Sequence, residues 1–207
     1  MFSWLRTKAV AARQEPAGLS RPKAPWWEES FSTREFAQIK EAFQPMGSIS
    51  VENMLQDAGS IGNLVGYLKK ENLRHLGYRL LDRAETLLVE RPPELVAHHF
   101  YLHARGEFFY RWRDLDDFAL EASIDAFSRQ ISIAPEVARS FSSDTSLGFV
   151  PGHAGYRQMR IIEEKRGNLE AARALCVKAK SEGWADDWDH VIARIDKKLS
   201  ARQSKSR

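Results

Sequence analysis

The sequence predicts an all-α protein: antiparallel helical hairpins stacked one on the next and closed by a C-terminal capping helix. Apolar residues recur at spacings of three and four through most of the stretch from Phe36 to Leu199, the period of one helix face. Alternation with a period of two is confined to Ile49 and Val51, too short a run for a strand. Prolines and glycines fall between the periodic segments, at Pro45, Pro92, Pro93, Pro135 and Gly167, where they read as helix ends. At 207 residues and 43% hydrophobic the chain can bury a substantial core, which excludes wholesale disorder.

Pro16, Gly18, Pro22 and Pro25 make residues 1–25 poor material for regular structure, and they read as a basic N-terminal arm or linker. A helical repeat-like domain is expected over 26–201, with 202–207 as a basic C-terminal tail. Ser32 with Glu35 three residues on is a capping-box signature, and Phe36, Ile39 and Phe43 then share a face, giving a helix over 33–44. Ser50 is the expected N-cap of a short helix carrying Val51, Met54 and Leu55, which Gly59 ends. Ile61, Leu64, Val65 and Leu68 continue the pattern, and Leu73 to Leu88 mark a longer helix over 72–90. Over 94–113 apolar groups occupy more than one stripe, with Leu95, Leu102 and Phe109 on one and Tyr101, Ala104 and Phe108 on another. Such a helix lies inside a bundle. The aromatic residues between Phe100 and Trp112 therefore read as core rather than as a stacking surface for bases. A helix over 115–133 is expected to stop before Pro135, while 136–150 has no assigned path. Helical patterns over 151–166 and 168–182 meet at Gly167, and the last helix, 186–199, repeats Trp188, Val191, Ile192, Ile195 and Leu199 on one face, as a cap with one wet side does. The aspartates at 114, 116 and 117 and at 186, 187 and 189 fall at two helix starts, where capping and the helix dipole favour carboxylates.

The net charge of +3 conceals a division along the chain. Residues 1–25 carry a net +4 (Arg6, Lys8, Arg13, Arg21 and Lys23 against Glu15), and 194–207 a net +5 (Arg194, Lys197, Lys198, Arg202, Lys205 and Arg207 against Asp196), which leaves the body at −6. No apolar run is long enough for a transmembrane helix, and Arg6, Lys8 and Arg13 break up the first residues as a secretory signal would not tolerate. A cytoplasmic protein is the expectation, and Cys176 as the lone cysteine excludes an internal disulfide.

Ser123-Ile124-x-x-Phe127-x-x-Gln130-Ile131-x-Ile133-x-Pro135 places small and aromatic groups where two helices can approach and a ring can fill the gap. This resembles the second helix of a tetratricopeptide repeat. Gly167-Asn168-Leu169-x-x-Ala172-x-x-x-Cys176-x-x-Ala179 has the same skeleton, and Leu80-Leu81-x-x-Ala84-x-x-Leu87-Leu88 is a looser third copy. The pattern from Pro151-x-His153-x-Gly155-Tyr156 through Gly183-Trp184 to Trp188 resembles the end of a group of small, uncharacterised bacterial repeat-like proteins. Departures stand out: Gln130 occupies an alanine position, Arg160 and Glu163 replace a small and an aromatic residue, and the copies lie farther apart than the usual ~34 residues. The segment 72–90 fits either helix of a hairpin. The resemblance implies a short superhelix that binds proteins and supplies no activity.

Candidate sites follow. His99, His103 and Glu107 lie at i, i+4 and i+8 and are the candidate metal ligands; the structural reading, with the histidines hydrogen-bonded in a buried helix and Glu107 paired to Arg111, is preferred. Cys176 reads as a buried core residue. No glycine-rich phosphate loop is present, and Gly62-x-x-x-Gly66 reads as a close helix contact. The expected function is a non-enzymatic adaptor without cofactor that binds a peptide or protein partner, with Arg105, Arg111, Arg113, Arg157 and Arg160 as the candidate readers of acidic groups. The alternative is a nucleic-acid-associated protein that binds through its basic tails; residues 1–13 could also touch a membrane surface.

Overall fold

The computed structural model describes residues 25–44, 47, 49–143 and 149–205. The expected N-terminal arm, apart from Pro25, and the membrane-surface reading of its first residues lie outside them, as do residues 144–148. The described residues form ten α-helices in order: α1 (Trp26–Ser30), α2 (Thr33–Phe43), α3 (Val51–Met54), α4 (Ala58–Val65), α5 (Arg74–Glu90), α6 (Leu95–Arg111), α7 (Ala119–Ser143), α8 (Ala154–Arg166), α9 (Leu169–Ser181) and α10 (Trp188–Lys205). Among the described residues there is no strand, and no helix is long and apolar enough to cross a membrane. The architecture is an all-α stack of helical hairpins, with α4 against α5, α6 against α7 and α8 against α9, and α10 closing the end on α9.

Local chemistry sets the boundaries. The predicted capping box forms: Ser32 accepts from the Glu35 N–H, and the Glu35 carboxylate accepts from the Ser32 N–H at 2.8 Å. Ser50 does not cap α3; its hydroxyl donates to the Glu52 carboxylate instead. Gly59 does not end a helix either. Asp57 starts α4 by accepting from the Ser60 N–H at 2.9 Å, and this places Gly59 in a first turn, where backbone N–H groups have no helical partner to lose. The larger departure is Pro135, which lies inside α7. An interior proline costs about 3 kcal/mol, whereas Ala134, Val137, Ala138 and Phe141 beyond it are all buried. Each large side chain among them contributes roughly 1.5–3 kcal/mol, so packing outweighs the lost hydrogen bond and the helix continues.

The core has two parts that meet at α6 and α7. One gathers Trp27, Phe31, Ile39, Leu55, Ile61, Leu64, Leu76, Leu80, Tyr101, Phe108 and their neighbours from α1 to α6; the other gathers Val137, Tyr156, Leu169, Ala172, Cys176, Trp184, Trp188 and Ile195 from α7 to α10, and Ile133 packs against both. α5 takes the role of second helix in the α4/α5 hairpin, since its backbone lies against α4, and it reaches α6 through rings: Tyr78 stacks on Phe109 with centroids 5.2 Å apart. Asp116 joins this contact rather than capping α7. It accepts from Arg74 Nε at 2.8 Å and from the Tyr78 hydroxyl at 2.7 Å, tying the α6–α7 connection to α5. Asp114 pairs with Arg113. At the other helix start Asp187 makes one long contact to the His190 N–H, 3.4 Å, while Asp186 and Asp189 pair with Arg157 and Lys180.

α6 and α7 approach so closely that a ring fills a missing side chain. A Cβ at Gly106 would lie 2.4 Å from Phe127 Cε1, and Phe127 is fully buried. Gly106→Ala is therefore expected to destabilise the fold by about 2–3 kcal/mol and to lower the melting temperature by roughly 5–10 °C in circular-dichroism melts; an unchanged midpoint would show that Phe127 has room to yield.

Candidate functional site

The placement of α8 on the α6/α7 hairpin depends on one buried amide. Gln130, in the middle of α7, is fully buried. Its Oε1 accepts from the Gly155 N–H at 2.9 Å, and its Nε2 donates to the His99 carbonyl at 3.3 Å while lying 3.3 Å from His99 Nε2. Gly155 permits this approach, because a Cβ there would sit 2.7 Å from Gln130 Oε1. His153 caps α8, its Nδ1 accepting from the Tyr156 N–H at 3.2 Å. Trp184 covers the group: its ring lies parallel to His99 at 5.4 Å and edge-on to His153 at 4.6 Å. With the Gln130 N–H aimed at His99 Nε2 and the Tyr156 N–H at His153 Nδ1, each imidazole is neutral and carries its proton on the other nitrogen. His99 Nδ1 is buried without a partner, and His153 Nε2 is buried without a hydrogen bond of ordinary geometry. Burial, assisted by the neighbouring histidines, therefore lowers His99 to about 4 and His153 to about 3.

On the outer side of this junction α8 forms a ridge between two grooves. Against α6 lies a groove of about 340 Å³ lined by His103, Glu107, Gly152, Ala154, Arg157 and Gln158. Against α10 lies one of about 440 Å³ lined by Arg160, Ile161, Glu164, Lys165, Arg194 and Lys198. Glu164 anchors the second groove. It accepts from Arg194 through both guanidinium nitrogens, at 2.6 and 2.7 Å, from Arg160 at 2.8 Å and from Lys198 at 2.9 Å. Arg194 first, then Arg160 and Lys198, hold its carboxyl far below the usual carboxylate range. Arg157, on the first groove, pairs with Asp186 at 3.1 Å.

The sequence-predicted residues divide accordingly. Arg157 and Arg160 line the grooves, and so do His103 and Glu107. Arg105 lies elsewhere, partly buried beside Glu85 and over the Phe109 ring; Arg113 sits over Tyr110 and pairs with Asp114; Arg111 is exposed at the end of α6 and lines neither groove. His99 is in the core behind His103, so the i, i+4, i+8 trio does not converge. Among the described residues no group of three or more His, Cys, Asp or Glu is arranged to hold a metal ion. Glu107 makes no ion pair with Arg111 among the described residues and instead acts on His103. Cys176 is buried and burial pushes its thiol up, the opposite of what a nucleophile needs. Glu164, Arg194 and Lys198 do not emerge from the sequence as a unit, because the two cations fall in the basic stretch 194–207 and nothing local pairs them with Glu164. The role of Gln130 does not emerge either, although the residue departs from the repeat pattern, and that departure is the signal.

The depressed histidines make stability depend on pH. An imidazole held neutral in the fold binds a proton more readily in the unfolded chain, so its contribution is complete above pH 6.5 and is lost as the pH falls toward 4 for His99 and 3 for His153. His98 and His103 shift the same way. Carboxylates such as Glu35 enter only below their ordinary 4.5, which leaves the window from pH 6.5 to 5 to the histidines. A loss of roughly 1–2 kcal/mol per buried histidine at pH 5 is expected in urea titrations. His153→Asn, which keeps a capping acceptor but cannot titrate, is expected to flatten that slope; an unchanged slope would mean that His153 protonates freely in the fold. In comparisons with known proteins, no protein-family model matches this chain, and no curated protein or solved structure matches it.

Proposed function

We propose that the chain is a non-enzymatic protein-interaction module of the tetratricopeptide-like kind, acting in the cytoplasm, that holds a peptide segment of a partner along α6, α8 and α10. One observation carries this reading: the first helices of two successive hairpins and the capping helix line two grooves, one on either side of α8, and stacked hairpins present grooved surfaces of this type to partners. The repeat-like small residues support it, since Ala172 and Ala179 on α9 are fully buried against neighbouring helices. Arg157 is suited to exchange partners. Its pair with Asp186 is half exposed, at 51% and 29%, and such pairs contribute only ~0–1 kcal/mol. The reading assigns no reaction and needs no cofactor.

Nucleic-acid binding through the C-terminal cations is less well supported. α10 runs to Lys205, past the expected domain end, so Arg194, Lys198 and Arg202 lie on a helix packed beside α8 rather than on an extended tail that could follow a nucleic-acid backbone. The test is site-specific photocrosslinking in the native cell. A photoreactive residue replacing Gln158 is expected to capture a discrete protein partner, and one replacing Ala174 on the outer face of α9 is not. Capture from Ala174 alone, or equal capture from both, would contradict the docking face.

A further inference from the structure

The groove between α8 and α10 has an imbalance of donors and acceptors that identifies what it would take. Arg160, Lys165, Arg194 and Lys198 line it with a single carboxylate, Glu164. Each guanidinium offers five N–H donors and each ammonium three, while one carboxylate accepts roughly four hydrogen bonds. Glu164 receives contacts from Arg160, Arg194 and Lys198 and is nearly saturated by them. Most of the cationic donors are left without a carboxylate to serve, and Arg160 Nε is buried with no partner at all. The other acids of α10 cannot supply the deficit. Asp189 and Asp196 project to the opposite side and pair with Lys180 and Arg173 of α9. Arg194 and Lys198 remain reachable, at 36% and 49% side-chain exposure, whereas Glu164 is only 11% exposed.

We infer that this groove is a carboxylate-reading site for an acidic peptide segment of the partner, with Glu164 acting as an internal placeholder that keeps Arg194 and Lys198 aligned until a partner's Asp or Glu joins them. The inference rests on the docking reading above and gives its partner a chemistry. Guanidinium and carboxylate match as two parallel hydrogen bonds, and Ile161 supplies an apolar contact for the peptide stem. A nucleic-acid strand is the poorer occupant: single strands are held by aromatic stacking, and none of the six lining residues is aromatic.

The test uses the full chain and a fluorescein-labelled hexaglutamate, with hexaglutamine and oligothymidylate as comparison probes in fluorescence anisotropy. Hexaglutamate is expected to bind in a salt-sensitive manner, and the R194Q/K198Q double variant to weaken it by roughly tenfold or more. Lys69→Glu, in the connection before α5, is expected to leave binding unchanged. Because the double variant strips Glu164 of two partners, Lys165→Glu on the rim serves as an independent check that leaves the Glu164 contacts intact, with a loss of about threefold. Absence of hexaglutamate binding, equal binding by R194Q/K198Q and Lys165→Glu, or tighter binding of oligothymidylate at the same residues would each overturn the inference. If any of these occurs while the Gln158 crosslink persists, the docking face stands and only its acidic specificity falls. If the crosslink also fails, both fall.

Discussion

A single amide at the centre of the molecule decides where its second half sits. Gln130 spans the gap between the His99 carbonyl on α6 and the Gly155 N–H at the start of α8. A buried polar group left unpaired costs about 1–3 kcal/mol, so the first-turn Gly155 N–H and the Gln130 amide oxygen require each other. The arrangement has directional content that apolar packing lacks: shifting α8 by one residue would leave the Gly155 N–H and the amide oxygen stranded, and would carry His153 and Tyr156 with them. The grooves on either side of α8 inherit their position from that contact.

The two halves of the molecule are held by different physics. From α1 to α5 the buried contacts are aliphatic and aromatic, with rings such as Tyr78, Phe108 and Phe109 bridging α5 and α6, and the ion pairs Lys40–Glu52 and Arg79–Glu35 lie toward the surface. From α7 onward polar and ionic contacts take a larger share, and α10 shows how they are sorted. Its apolar stripe, with Trp188 and Ile195 buried, closes the core; its acidic side meets the cations of α9; its basic side meets Glu164. Salt bridges this exposed contribute little to stability individually. Their effect is to orient α10, and with it the cationic wall of the second groove.

Much of the helix pattern could be read from the residues alone. The capping box at Ser32 and Glu35, the two-stripe helix α6, the Gly167 junction and the one-sided stripe of α10 rest on local rules, and the structure has them. What escaped depends on partners distant in sequence. Pro135 is a helix breaker by local propensity, and only the burial of Val137 and Phe141 beyond it reverses the outcome. Asp116 has the position of a cap, yet Arg74 and Tyr78 claim it across about forty residues of chain. The groove-lining residues are half legible in the sequence. Arg157 and Arg160 stand out as cations of a first helix, but Arg105 shares that description and pairs with Glu85. The cations of α10 could not be assigned without knowing that its basic side faces α8.

The measurement that bears most directly on this account is amide hydrogen exchange at Gly155. If the Gln130 side chain fixes the start of α8, the Gly155 N–H exchanges only with global unfolding, and Gln130→Ala releases it while amides in α5 keep their protection. Rapid exchange of Gly155 in the unaltered protein, or full protection in Gln130→Ala, would contradict the claim that this amide sets the register of α8 and the grooves beside it.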